Sequence, residues 1–556
     1  MLFAGIAALA LSGAGWAADK DNAPDFSLQG YYRTRGYVLK DFYPDQEEAG
    51  KMMVHKLRLQ PVLDFQGRAK FIMMADAMDD VVWGDNASLA ATSVFAGDPS
   101  NTGTDGATQS SFELKRAWME VKLPIGLIRV GRQESNWGMG LLSNHGNGFD
   151  DTFGENHYGS TFDRAIFATR PVPVAQTLMG KAKVDSNHPL LVAVGVDRLV
   201  EDPLTQYYGY ACEKNLIQGD SDKYDSRCDT DGDGITDLEH DFTDESRTPE
   251  QRQADWIMDN ADDVWETVFV VQYKVEDANL GKKKGKGKRH KTDLTLGTYV
   301  VSRHQDETNS DVLITDVYGK FLHRGVYLEG EVLNIRGRTE GITLRGSYDP
   351  YGELANPLYK EANIWGYVGR AGYKKESYSA IFETGYASGD ENVADDQFTG
   401  RPIHPDYNVG LILYEEVLAR VTAQTWSRDA EGLWSNGGVY NSRYVFPTVT
   451  YKPGRNMDLI AGYLLAWPDK PDGSRILCMA SDFPGEEEKC TDPQEDLAQE
   501  IGWEVDIGFK YKFYQHILFS AEYGYAKVSN RIPLENIGLN PDGKFQTFQS
   551  RIAYEF

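Results

Sequence analysis

The sharpest cluster of metal-ligating side chains in the chain is the run Asp229-Thr230-Asp231-Gly232-Asp233-Gly234-Ile235-Thr236-Asp237. Carboxylates at its first, third, fifth and ninth places, a glycine at the sixth for a tight turn and the Ile235 carbonyl at the seventh make an oxygen cage of the kind Ca²⁺ prefers. The twelfth place holds His240 where an acid is usual, so Glu239 or Asp241 must close the cage, with Asp241 the expected ligand. No nucleophile or base accompanies the loop, so the expected role of the ion is structural. The plainer alternative is an acidic, solvated loop. Cys228 immediately precedes the cage. The four cysteines allow three pairings, and the two local ones, Cys212 with Cys228 and Cys478 with Cys490, are expected in an exported protein.

Other chemistry has little support. The ten histidines are scattered, and no GxSxG, HExxH, Walker or dinucleotide pattern is present, so an enzyme is not expected. A formal net charge of -27 argues against nucleic acid as a partner, because phosphate binding needs a basic surface. The same charge suits long solvated loops. One basic run, Gly281 to Lys291, falls on an expected periplasmic turn, either merely solvated or touching anionic inner-leaflet headgroups or cell-wall polymer.

The elements that carry these residues are set by their periodicity. Leu2 to Leu11 form a short apolar run, and Gly15-Trp16-Ala17 fits a signal-peptidase site, which makes residues 1–17 an expected signal peptide and 18–556 the mature barrel. No Lys or Arg precedes the apolar run, the one departure from the usual leader. No later stretch holds the roughly 18 apolar residues that a membrane helix needs. Eighteen segments of alternating polarity follow: 25–38, 52–66, 69–78, 111–123, 127–134, 161–170, 188–200, 263–274, 292–304, 310–323, 325–336, 361–374, 376–388, 438–452, 455–467, 498–512, 516–529 and 545–556. Short turns such as Gln66-Gly67-Arg68, Pro124-Ile125-Gly126, Lys374-Lys375 and Pro453-Gly454 alternate with long polar connections, among them 201–262, which carries the aspartate loop, and 389–437. This predicts an all-β, antiparallel, up-and-down transmembrane barrel of about 18 strands, with short periplasmic turns and long extracellular loops. A low mean hydropathy agrees with alternating faces, and 31 Tyr, 24 Phe and 11 Trp suffice for two interfacial girdles. A soluble sandwich or propeller fits less well, since stripes such as Leu57, Leu59, Leu63 and Phe65, or Ile501, Trp503, Val505 and Ile507, lie opposite strongly charged faces. Residues 408–420 read as strand or as helix, and strand parity assigns them to the loop.

The last segment, Phe545 to Phe556 (FQTFQSRIAYEF), resembles the terminal signal of bacterial outer-membrane barrels. ELKRAWMEVKLPIGLIRVGRQ (Glu113 to Gln133) with NWGMGLL (Asn136 to Leu142), GYASGDEN (Gly385 to Asn392) and HPDYNVGLIL (His404 to Leu413) resemble large porins of the alginate-export type and their relatives. That resemblance implies an 18-stranded barrel in the outer membrane of a Gram-negative bacterium and motifs that are structural rather than catalytic. The aspartate run in turn resembles EF-hand-like and thrombospondin type 3 calcium loops.

Alternation places Arg33, Arg35, Lys56, Arg58, Arg116 and Lys122 inward on early strands, and Glu329, Glu331, Glu383, Glu500, Glu504, Asp506 and Glu522 inward on later ones. Facing each other, such walls create a transverse field across a water-filled pore for small hydrophilic or charged solutes. Alternatively the charges pair and stiffen the wall. An alginate exporter implies a mostly basic lumen, which the acidic strands do not provide. Residues 389–437 either fold inward as a constriction or plug or remain outside as a solvated loop. The competing function class is a barrel-anchored adhesin or scaffold acting through calcium-stabilised extracellular loops. Expected partners are outer-membrane lipid and lipopolysaccharide, small hydrophilic solutes, and either a protein at the extracellular loops or further copies of the chain.

Overall fold

The computed structural model describes residues 24–42, 49–83, 112–149, 151–156, 159–181, 184, 187–201, 264–276, 292–305, 310–339, 360–390, 396–422, 435–470, 499–532, 534 and 539–556. Among these, nineteen strands form one sheet. They are β1 (Asp25–Lys40), β2 (Gly50–Phe65), β3 (Ala69–Val82), β4 (Phe112–Leu123), β5 (Gly126–Ser135), β6 (Ser160–Thr169), β7 (Leu190–Glu201), β8 (Val264–Val275), β9 (Thr292–Gln305) and β10 (Ser310–His323). They continue with β11 (Val326–Thr339), β12 (Lys360–Lys374), β13 (Tyr378–Ala387), β14 (Gln397–Phe398), β15 (Ser442–Gly454), β16 (Met457–Pro468), β17 (Gly502–Phe513), β18 (Ile517–Val528) and β19 (Lys544–Glu555). Every strand except β14 pairs antiparallel with two neighbours, and β1 pairs with β19 from Tyr31↔Glu555 to Lys40↔Gln546. Eighteen strands therefore close into a barrel and leave no open edge. β14 adds only two residues, parallel to the start of β12.

These eighteen wall strands are the eighteen segments that alternation marks, with ends shifted by a few residues. The reason shows on β17, where Val505 and Ile507 are 39% and 52% exposed while Glu504 and Asp506 are fully buried. Successive side chains of a strand point to opposite faces, so the apolar residues form an outer belt and the charged ones point into the lumen. Twelve residues make a strand about 40 Å long, and a tilt of about 40° leaves about 30 Å along the barrel axis, enough for the apolar band of a bilayer. Aromatic rings mark both rims. Tyr511 with Phe513 and Tyr554 with Phe556 lie at the short-turn end, and Trp503 with Tyr463 and Tyr525 at the long-loop end. Phe556 exchanges backbone hydrogen bonds with Gly30 at 3.0 and 3.1 Å, which ties the last strand to the first at its rim.

One element has no counterpart in the sequence reading. Between β6 and β7, α1 (Pro171–Leu178) occupies the short-turn end, with Pro171 pre-setting φ for its first turn and no residue buried.

The apolar core lies in the lumen, where the described parts of two long-loop-end connections, 136–159 between β5 and β6 and 388–441 between β13 and β15, turn back and pack against inward-facing wall residues such as Val268, Val301, Ile314, Ile364, Tyr444 and Leu464. Val409, Ile412, Leu413, Tyr414, Val417 and Val421 have no exposed surface. Residues 408–420, which parity assigns to the loop, contain a π-helical turn at Leu413–Leu418. Leu413, Tyr414, Val417 and Leu418 of the turn are buried in the core, while Glu415 and Glu416 lie on its other face.

Candidate functional site

Each internal loop is held to the wall by a carboxylate that accepts hydrogen bonds from its backbone. On β17, Glu504 accepts from the amides of Leu411, Ile412 and Leu413 at 2.6, 2.8 and 2.8 Å. On β11, Glu331 accepts from the amides of Met139 and, at 3.2 Å, Leu141. Trp137 Nε1 donates to Asp316 on the neighbouring β10 at 2.9 Å, adding an anchor beside that clamp. Neighbouring amides pointing one way form a nest for an anion, three consecutive ones at Glu504 and two either side of Gly140 at Glu331, and here the anion is a side chain of the barrel itself. A glycine at positive φ precedes each nest, Gly138 (φ 58) and Gly410 (φ 77). A Cβ on Gly138 would collide with the Glu331 carboxylate, and one on Gly410 would lie 3.0 Å from that of Glu504. The left-handed backbone and the close approach both require glycine.

The basic wall grips the first loop through the ion pairs of Glu155 and through hydrogen bonds to loop carbonyls, and pairs with acids of its own strands. Glu155 of the first loop faces Arg33 at 3.1 Å, Arg35 at 3.8 Å and Arg551 at 2.9 Å. Arg58 binds Asp76 through two 2.7 Å contacts and donates to the Gly146 carbonyl at 3.1 Å. Lys56 reaches Asp76 at 3.3 Å and Asp79 at 2.7 Å. Arg116 pairs with Glu134 at 2.7 Å and donates to the His145 carbonyl at 2.9 Å. Across the lumen, Glu383 accepts from Tyr407 of the second loop at 3.0 Å and from Tyr444 at 2.6 Å, and pairs with Arg370. Glu329 accepts from Tyr318 at 2.7 Å and from Tyr327, near Lys320 and Arg370.

The two loops also bind each other. The His404 amide donates to the Leu141 carbonyl at 2.9 Å, the Gly159 amide to Asp406 at 2.6 Å, and Asn408 Nδ2 to Asp151 at 2.8 Å. Burial, opposed by the Asn408 hydrogen bond and Lys510, pushes the Asp151 carboxyl up to about 7. Burial also lowers His145, whose Nδ1 accepts from the Asn147 amide at 2.8 Å, so the ring there is neutral. The assembly touches strands on opposite sides of the barrel and narrows the lumen from wall to wall.

Of the residues that alternation turns inward, Arg33, Arg35, Lys56, Arg58, Arg116, Glu331, Glu383, Glu504 and Asp506 are buried on the inner face, and Glu329 lies on that face near the short-turn end. Glu500 does not join them. The chain enters the wall only at Gly502, so Glu500 precedes β17 and is exposed, while Ile501 is 2% exposed and packs into the core instead of facing lipid. The sequence reading missed Asp76, Glu155 and Asp316. Counting outward from the Gln66-Gly67-Arg68 turn pairs Arg58 with Asp76, so that residue had a signal in hairpin register. Glu155 sits in a loop and had none. The calcium residues Asp229, Asp231, Asp233, Ile235, Asp237 and Asp241, the cysteines Cys212, Cys228, Cys478 and Cys490, the signal peptide and the basic run lie outside the described residues. Among the described residues no three metal-ligating side chains converge.

A closed barrel with a charged inner face and an apolar, aromatic-rimmed outer face is an outer-membrane β-barrel, and its place is the outer membrane of a Gram-negative bacterium. No protein-family model and no curated protein matches the sequence. Among solved structures the chain is similar to OccAB3 of Acinetobacter baumannii (9% identity, TM-score 0.46, covering 96% of this chain and 99% of that one). It is similar as well to OccK5 (OpdH) of Pseudomonas aeruginosa (9%, 0.45, 95% and 98%) and to a BenF-like porin of Pseudomonas fluorescens (9%, 0.45, 96% and 98%). At such scores these likenesses add no weight, and the barrel rests on the pairing of its own strands.

Proposed function

We propose that the protein is an outer-membrane channel for small hydrophilic or charged solutes, narrowed inside by its own two loops. The observation that carries this reading is the pair of carboxylate clamps, Glu331 and Glu504, which hold the loops across the lumen. A scaffold would need its loops outside, where partners are. Here the core-forming parts of both loops are spent on the interior, and a polar cavity is left between them and the wall. Charges on the inner face act on a solute through the gap that the loops leave rather than through a wide water column. Conductance in planar bilayers tests the channel: the purified protein should give discrete steps, and a protein without conductance would be a scaffold. Membership in the alginate-export type is part of the same proposal, carried by the NWGMGLL and HPDYNVGLIL segments, which supply the two amide nests.

The loop from Asp229 to Asp241 is further proposed to hold Ca²⁺ at the extracellular end, stapled by Cys212–Cys228. Its concentrated negative charge needs a cation to order it. Millimolar Ca²⁺ should protect residues 201–262 from proteolysis, and Asp231→Ala with Asp233→Ala should remove the protection. Identical digestion with Ca²⁺ and with chelator would leave only an acidic loop.

A further inference from the structure

Between the second internal loop and the wall lies a cavity of about 150 Å³, whose lining includes Arg35, Glu155, Asp406, Asn408, Glu415 and Glu416. One cationic side chain thus meets four carboxylates. Three of the four are compensated. Glu155 lies among Arg33, Arg35 and Arg551, Glu416 pairs with Arg420 at 3.0 Å, and Asp406 accepts from the Gly159 amide beside His404. Glu415 is different. Its Oε1 is buried with no hydrogen-bond donor, and no cation lies within ion-pair distance of it among the described residues.

A buried carboxylate oxygen without a donor is a costly feature, because that atom's transfer out of water is not repaid by a hydrogen bond. It becomes favourable when a positively charged group enters the cavity. Resting on the channel reading, we propose that this cavity binds the ammonium group of a small cationic or zwitterionic solute, with Glu415 as its counter-charge. Asn408, Asn436 and Gln549 line the same space and offer amide groups to the solute's polar atoms. The positively charged wall bounds one side of the cavity, so a carboxylate on the same solute would be drawn towards Arg35. An ammonium group would be drawn towards Glu415, and the solute would be oriented between them.

The electrostatics of the cavity agree. Burial, then Glu416, Asp406 and Asp151, raise the Glu415 carboxyl well above its ordinary value, opposed by Arg35. A carboxyl raised in this way is more readily protonated than a free one, and an entering ammonium group opposes that protonation. The groups that face Glu415 are Glu416 and Asp406 from its own loop, Asp151 and Glu155 from the other loop, and Arg35 from β1.

Titration calorimetry of the full chain in detergent, with 1,4-diaminobutane as the probe and glutarate as the control, tests the site. Diaminobutane should bind with proton release and lose affinity as pH falls, whereas glutarate should bind far more weakly. Glu415→Gln should weaken diaminobutane by about tenfold or more, the loss of a charge-assisted contact. Glu415→Asp, which keeps the charge, should retain binding, and it keeps the comparison usable if the amide variant fails to fold. Equal binding in wild type and Glu415→Gln, affinity that does not change with pH, preferential binding of glutarate, or no binding at all would overturn the proposal. The two readings fail separately. Binding that needs Glu415 in a protein without conductance would leave the site and remove the channel; conductance without binding or block by diaminobutane would do the reverse.

Discussion

Asp151 couples two loops that are distant in sequence, and its protonation sets how firmly they hold. The carboxyl accepts from Asn408 Nδ2 at 2.8 Å, and burial moves its titration from 3.8 to about 7. When the loops part, the group is solvated and titrates near its ordinary value. The packed state therefore binds more protons between these two values, so packing is favoured on the acid side and weakens as pH rises towards about 7. Hydrogen exchange of residues 404–413 should show protection that falls across this window in wild type and stays level in Asp151→Asn. Protection that rises with pH through the window would contradict the assignment. Nothing in the sequence marked Asp151, because its environment is made by a loop more than two hundred positions away.

The strands were readable because each repeats one physical instruction over ten residues or more: apolar towards lipid, polar towards the lumen. A single element makes the contrast measurable. Val505, 39% exposed on the lipid face of β17, neighbours Glu504, fully buried on the lumen face. Val505→Arg should cost about 2 to 4 kcal/mol and impair the heat-modifiable barrel form on gels. Glu504→Gln should leave that form intact, because the wall's ladder of hydrogen bonds does not involve the side chain. Equal folding of both variants would count against the lipid-facing register. Which acids face inward was legible in the same alternation, but their partners were not. Glu331 and Glu504 bind backbone amides of loops, and an amide carries no residue-type signal. The glycines of NWGMGLL and HPDYNVGLIL were the visible trace, Gly138 and Gly410, since each sits at positive φ just before the donating amides. α1 escaped notice because an eight-residue helix with two prolines and no buried face has little periodicity to read.

At the scale of the whole molecule, the barrel is a rigid frame and the two loops are an insert seated within it. The frame is closed by β1 against β19 and does not depend on the insert for its ladder. The insert depends on the frame, since its backbone amides and carbonyls and its side chains find partners on β1, β2, β4, β10, β11, β13, β17 and β19. Removing a clamp should therefore change what passes through the barrel more than whether it folds. Each charge-assisted hydrogen bond of a clamp contributes about 1.5 to 3 kcal/mol, and a glutamine in its place keeps one acceptor oxygen but loses the charge and turns an NH₂ donor towards the loop amides, which loosens the loop from the wall. The measurement that bears most directly on this is single-channel conductance of the wild type beside Glu331→Gln with Glu504→Gln in the same chain. Small steps in the wild type and clearly larger ones in the doubly substituted protein, with heat modifiability unchanged, are the predicted result. Identical conductance in the two proteins, or a wild type already as open as an unobstructed barrel, would contradict a lumen narrowed by clamped loops.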